Sequence, residues 1–285
     1  MRNFLGLALL VACAPVPPVF GQASRSIAPE TVVVASGKLR LQAFLWRPAG
    51  SAPFPAVLFA HGSGSTVSST GGFVMTDAAK ILGPVFQKHG YAFLYLFRRG
   101  QGLSAGQGPF MQDILRHEKT ARGEESQKHL QFVLLTTDHL DDVTAGVAFL
   151  KRLPEVDARR IAIMGHSFGG QLSLLAAERD STIRAAVTFG AAAGSWEGSS
   201  ELRERLLAAV RKTTVPVMLL HAENDYSVAP GKALAAELES LGKPHVLKIY
   251  GPIGQTPDAG HNFVYTAVSQ WEDDVFKFLN EYVRR

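Results

Sequence analysis

Apolar residues along this chain of 285 residues fall into short runs separated by polar, helix-like stretches. Eight runs suit strands: Thr31 to Ala35, Leu39 to Trp46, Ala56 to Ala60, Tyr91 to Phe97, Ile161 to Met164, Ala185 to Phe189, Val215 to Leu220 and Val246 to Tyr250. The central ones are nearly continuous in Val, Ile, Leu, Ala and Phe, as strands covered on both faces are. Gly37 between the first two predicts an opening hairpin, and Pro48 to Pro55 a turn-rich link to the first central strand. Between the later runs lie helical patterns over Asp77 to His89, Ile114 to Leu135 and Asp138 to Leu153, the last with Val143, Val147 and Leu150 on one face. Further helices are predicted over Gly169 to Glu178, Ser200 to Arg211, Pro230 to Leu241 and Val268 to Val283. Gly100 to Gly108 is too rich in glycine for either periodic structure. Alternation of this kind predicts an α/β protein with an eight-stranded, mostly parallel sheet flanked by helices.

The first residues follow a different pattern. Arg2 supplies a positive start, Phe4 to Ala12 form an apolar stretch too short to cross a bilayer, and prolines from Pro15 to Pro18 break it. This predicts an export signal over 1–23 and one domain over 24–285, hence a periplasmic or secreted protein. Two processing readings stand. Gly21-Gln22-Ala23 suits cleavage before Ser24, whereas Leu10-Val11-Ala12-Cys13 resembles a lipoprotein box and would make Cys13 a lipid anchor. No other cysteine occurs, so the domain has no internal disulfide and no thiolate nucleophile. No second stretch is apolar enough to span a membrane.

Composition changes this picture little: 46% apolar and 19% charged residues are ample for one large core. The net charge of +4 is scattered, with no basic run longer than the pairs Arg98-Arg99, Arg159-Arg160 and Arg284-Arg285. That argues against a nucleic-acid partner. The pattern does not define an oligomeric state.

The candidate chemistry lies in Gly165-His166-Ser167-Phe168-Gly169. A strand enters this G-x-S-x-G run and a helix leaves it, as in a nucleophile elbow, where a sharp turn exposes the serine and tolerates only small neighbours. A hydroxyl needs a base to become a nucleophile, and acyl transfer needs donors for the oxyanion. Gly102-Leu103-Ser104-Ala105-Gly106 matches the same pattern, but no strand leads directly into it and Gly108-Pro109 would stop a helix, so Ser104 reads as a loop residue. The base and acid belong downstream, past strand ends. His261 is the expected base. Asp225, directly after a strand, is the preferred acid, with Glu223 and Asp258 as alternatives. The oxyanion donors are expected to be the backbone amides of Phe168 and of Ser63, with Gly62 the alternative, in the loop Ala60-His61-Gly62-Ser63-Gly64-Ser65. His61 and His166 read as structural. This chemistry suits a small-molecule substrate, an ester or short acyl compound, and calls for no metal and no organic cofactor.

These motifs resemble the α/β-hydrolases, most closely the dienelactone-hydrolase-like and prolyl-oligopeptidase-like branch, over essentially the whole chain from Thr31 onward. Arg98-Arg99-Gly100-Gln101-Gly102-Leu103-Ser104 resembles that branch's RGxGxS turn, whose arginine is usually structural. The resemblance implies the fold and a Ser167, Asp225, His261 triad. Dienelactone hydrolases proper carry cysteine where this chain has Ser167. The interval Gly190 to Thr214 is too short for a large cap domain. The extra material lies between Gly102 and Gln131, where Phe110, Met111 and Ile114, with Phe132 just beyond, either line an entrance or serve as the core face of ordinary helices.

Overall fold

A computed structural model describes residues 28–64 and 74–284. The expected export signal and Cys13 lie outside the described residues, as does Ser65. Eight strands form one sheet: β1 (Glu30–Ser36), β2 (Leu39–Trp46), β3 (Phe54–Ala60), β4 (Ala92–Leu96), β5 (Val156–His166), β6 (Ala185–Phe189), β7 (Val217–Ala222) and β8 (His245–Tyr250). Their spatial order is β1-β2-β4-β3-β5-β6-β7-β8. β1 and β2 pair antiparallel, β2 joins β4 antiparallel, and every other pairing is parallel. The parallel strands therefore end at one edge, and the loops that follow them collect there.

Burial on both faces explains the continuous apolar runs. In β3, Ala56, Leu58 and Ala60 face one core while Val57 and Phe59 face the other. The first core is closed by α4 (Asp138–Arg152), α5 (Phe168–Arg179), α6 (Ser200–Lys212) and α7 (Ala229–Ser240). The second is closed by α1 (Met75–Lys88) and α10 (Val268–Tyr282), which bring Phe86 and Trp271 against Phe93 and Phe189.

Three departures from the sequence pattern have physical causes. Helix-prone residues 114–135 form two helices, α2 (Met111–Arg122) and α3 (Glu124–Thr136), because Gly123 turns the chain between them at φ +88°. Strand β5 begins at Val156, five residues before its apolar run; Arg160 Nε donates to Asp157 2.9 Å away and its Nη2 to the Pro53 carbonyl at 2.9 Å, so the charged start is satisfied at the strand's polar end. Residues Gly102–Gln107 coil into a tight 3-10 turn, and Pro257–His261 (α8) and Phe263–Thr266 (α9) add two short helices after β8. Of the residues left open between an entrance and a core face, Met111 is fully buried in the core, whereas Phe132 lines an open cavity.

Candidate active site

Ser167 sits between β5 and α5 with φ 54° and ψ −119°, a backbone conformation costing on the order of 1–3 kcal/mol for a residue with a side chain. The surroundings enforce it. The Ser167 amide donates to the Phe189 carbonyl at 2.8 Å, and Gly170 N–H returns to the Ser167 carbonyl at 2.9 Å. The flanking glycines permit the approach: a Cβ at Gly169 would lie 1.9 Å from the Ala60 carbonyl oxygen, and one at Gly165 2.2 Å from that of Gly169. Phe168 is the first residue of α5, so its N–H has no acceptor within the helix.

Asp225 follows β7 in a turn closed by its own N–H to the Ala222 carbonyl at 3.0 Å. Its carboxylate is fully buried and receives three donors. His261 Nδ1 lies 2.7 Å from Oδ1, the Tyr226 amide donates to the same oxygen at 2.7 Å, and His221 Nδ1 lies 3.0 Å from Oδ2. Burial alone would push this carboxyl up, but the hydrogen bonds from His221 and His261 outweigh it and hold it down to about 2. Of the three candidate acids, only Asp225 meets His261. Glu223 points to solvent, and Asp258 accepts a hydrogen bond from the Tyr226 hydroxyl, which burial and that carboxylate push up to about 12.

His261 is brought to the elbow by its neighbours. His166, the residue before Ser167, donates through Nε2 to the His261 carbonyl at 2.9 Å, and the two rings are 4.8 Å apart. Burial and the adjacent His261 lower the His166 imidazole to about 3, so it stays neutral. Tyr226 covers His261 from another side, ring to ring at 4.8 Å. Gly190 closes the floor at φ +58°: a Cβ there would lie 2.9 Å from Asp225 Oδ2 and 3.0 Å from His261 Nδ1. Asn224 ties the two loops together, donating to the Ile253 and Thr256 carbonyls at 2.9 Å and accepting from the Ile253 amide at 2.8 Å.

The loop after β3 abuts the elbow, since a Cβ at Gly62 would lie 3.3 Å from Ser167 Cβ. Arg98, fully buried, clamps it by donating through Nη1 to the His61 carbonyl at 2.5 Å and through Nη2 to the Gly62 carbonyl at 2.8 Å. His61 Nδ1 donates to the Gly62 carbonyl as well, at 2.8 Å, and Nε2 accepts from the Arg98 amide at 3.3 Å. In a planar trans peptide the N–H points opposite the C=O. Fixing the Gly62 carbonyl on Arg98 therefore turns the Ser63 N–H to the other side. Burial lowers the Arg98 guanidinium to about 10, which leaves it charged at neutral pH.

Ser104 takes no part in this cluster. Its hydroxyl accepts from the Gln42 amide at 2.8 Å and donates to the Phe97 carbonyl at 2.7 Å, fully buried beside β2. The second G-x-S-x-G run is thus structural. Sequence reasoning passed over His221, Asn224 and the clamp made by Arg98. The spacing of four between His221 and Asp225 was the one visible signal for the first. No group of three or more His, Cys, Asp or Glu side chains is placed to hold a metal ion among the described residues, and no helix among them is long and apolar enough to cross a membrane.

Sheet order, crossover helices and a strained serine at the strand-to-helix turn define an α/β-hydrolase. Solved structures agree on the fold. Acylaminoacyl peptidase of Pyrococcus horikoshii superposes with a TM-score of 0.62 at 18% identity, over 90% of this chain and 41% of that one. Dienelactone hydrolase of Anabaena variabilis gives 0.59 at 20% identity, over 90% and 99%, and Est1E of Butyrivibrio proteoclasticus 0.59 at 19%, over 90% and 99%. The family model for dienelactone hydrolases matches residues 83–277, so the chain belongs to the dienelactone hydrolase family. It is a serine hydrolase, with serine in the elbow. Among curated proteins, the polyketide transferase grgF of a Penicillium species is 30% identical over 182 residues, covering 60% of this chain and 53% of that protein. The quorum-quenching protein AidA of Acinetobacter baumannii is 29% identical over 161 residues, covering 56% and 43%. The chain spans about half the length of these curated relatives.

Proposed function

We propose that the protein is an exported carboxylic-ester hydrolase that works through an acyl-enzyme on Ser167, with His261 as general base and Asp225 orienting it. The bond of 2.7 Å between His261 Nδ1 and Asp225 carries this reading. It fixes the ring so that Nε2 is left to take the Ser167 proton as Oγ attacks the ester carbonyl. The oxyanion that develops is received by the N–H groups of Phe168 and Ser63, each such donor being worth roughly a hundredfold to a thousandfold in rate. His261 then passes its proton to the departing alcohol, and water repeats the attack to release the acid. No metal or organic cofactor enters this cycle.

The ester preference follows the family, whose named substrate is a lactone, a cyclic ester. An amide could reach the same acyl-enzyme if His261 protonated the departing amine. Assay of p-nitrophenyl esters beside aminoacyl arylamides separates the two: ester turnover is expected to dominate, and arylamide cleavage with negligible ester turnover would end the ester reading. Export rests on the pattern of residues 1–23. The exported chain is expected to begin at Ser24, or at an acylated Cys13; a chain that keeps Met1 and stays in the cytoplasm would contradict it.

A further inference from the structure

Beside the elbow, between α3 and the loop after β6, lies a cavity of about 280 Å³ that includes no member of the triad. One wall is a face of α3. Had this helix only to cover the core, that face would be apolar throughout. Only its C-terminal part is, where Leu135 is buried. Nearer its start the same face presents Glu124, Gln127, Lys128 and Gln131 to the cavity. The opposite wall is Gly194, Ser195, Gly198 and Ser199, with Gln171 at the base.

The polar groups here bond to one another and to the backbone, and keep further hydrogen-bonding capacity besides. Gln171 is almost fully buried and donates through Nε2 to Ser195 Oγ at 3.2 Å, which leaves the Gln171 amide oxygen and the Ser195 hydroxyl proton available. Ser199 Oγ accepts from the Leu202 amide at 3.2 Å and keeps its own proton to donate. The charges are paired off: Lys128 Nζ lies 3.3 Å from Glu124 and 2.8 Å from Glu125, and Glu124 lies 3.7 Å from Lys119 as well, two cations against two carboxylates. Phe132 and Leu202 add apolar surface. Such a lining suits an uncharged group with several hydroxyls or amides.

One wall of the cavity comes near the proposed triad. Its wall residue Gly194 is within 3.7 Å, measured from a Cβ built there, of the Tyr226 ring, and that ring stands 4.8 Å from His261. On the other side, Gln171 lies one helical turn from Ser167, its backbone N–H donating to the Ser167 carbonyl at 3.2 Å. An ester whose carbonyl sits at Ser167 can therefore run one of its halves over Gly194 into the cavity. We infer that this cavity binds an uncharged, hydroxyl- or amide-bearing half of the ester substrate, with room for on the order of ten heavy atoms if each takes about the volume of a water. The inference rests on the Ser167 acyl-enzyme reading.

The test uses two matched pairs of esters. Hexyl butyrate is set against 6-O-butyrylglucose for the alcohol half, and p-nitrophenyl heptanoate against p-nitrophenyl N-acetyl-4-aminobutyrate for the acyl half. The wild-type enzyme is expected to favour the polar member of at least one pair by about tenfold in kcat/KM, and Gln131→Leu to reduce that ratio by about fivefold to tenfold, as loss of a hydrogen bond or two would. Gln131→Ala should act in the same direction and serves if the leucine variant does not fold. Fluorophosphonate labelling of Ser167 is run in parallel. An enzyme that labels but shows no polar preference in either pair, or a ratio that neither variant moves, overturns the inference and leaves the hydrolase reading intact. Failure of the wild type to label brings down the acyl-enzyme reading itself.

Discussion

His221 and Asp225 lie one on either side of the turn after β7, with His221 Nδ1 3.0 Å from the carboxylate oxygen that His261 does not use. Asp225 is thus held by two imidazoles, and only that of His261 is tied to the elbow, through the hydrogen bond from His166 to its carbonyl. Replacing His221 with Phe removes one donor from a buried charge, an interaction worth roughly 1.5–3 kcal/mol. The variant is expected to fold with a lowered Tm and to lose about tenfold in kcat while KM stays near the wild-type value, because the acid and not the pocket is disturbed. Steady-state kinetics together with thermal unfolding check it; an unchanged kcat would remove His221 from any part in orienting the acid.

The same carboxylate makes stability depend on pH. Its folded value of about 2 lies below the ordinary 3.8. A depressed carboxyl contributes stability that is fully present above about pH 4 and is lost as pH falls toward 2, here about 2 kcal/mol. Urea unfolding of the wild type and of Asp225→Asn at pH 6 and pH 3 measures this, since the other acidic groups cancel in the comparison. The wild type should lose more stability on acidification than the variant; equal losses would show that Asp225 does not titrate with folding.

Arg98 holds the carbonyls of the loop that carries Ser63. Arg98→Met removes both donors of the clamp, so the loop is expected to lose its fixed peptide orientation and kcat to fall by roughly a hundredfold, the loss of one oxyanion donor. Arg98→Lys, able to reach one carbonyl but not two, should fall between. Fluorophosphonate labelling rates and circular dichroism distinguish this from unfolding: a native spectrum with slow labelling is expected, and native labelling rates would deny the clamp its role.

Ser104 makes the converse case. Ser104→Ala strips the Gln42 amide of its acceptor, at a cost of about 1–3 kcal/mol. Its Tm should drop while kcat/KM of the folded enzyme stays within about twofold. A dead but fully folded variant would reinstate Ser104 as a candidate nucleophile.

Strands were legible because a parallel sheet covered on both faces writes itself as unbroken apolar runs. The start of β5 was not, since Asp157, Arg159 and Arg160 interrupt the run and are reconciled with the strand only by their pairing with one another and with Pro53. In the candidate site, Ser167, Asp225 and His261 stand out in the sequence because few residue types suit the proposed chemistry and the chain order is restrictive. The sequence also left Glu223 and Asp258 as rival acids, and only the three-dimensional contacts separate them. Arg98 and His61 stand 37 residues apart, so the clamp exists only once β3 and β4 lie side by side. His221 was hidden for another reason: it is the penultimate residue of β7, just past the apolar run, and its bond to Asp225 forms only once the turn after the strand folds back.

The most direct test is fluorophosphonate labelling of the intact protein followed by peptide mapping. A single adduct is expected, on Ser167, abolished in Ser167→Ala, a variant whose ester turnover falls by several orders of magnitude with its fold retained. An adduct on any other serine, or a Ser167→Ala variant that still turns over esters at the wild-type rate, would contradict the assignment of Ser167 as nucleophile.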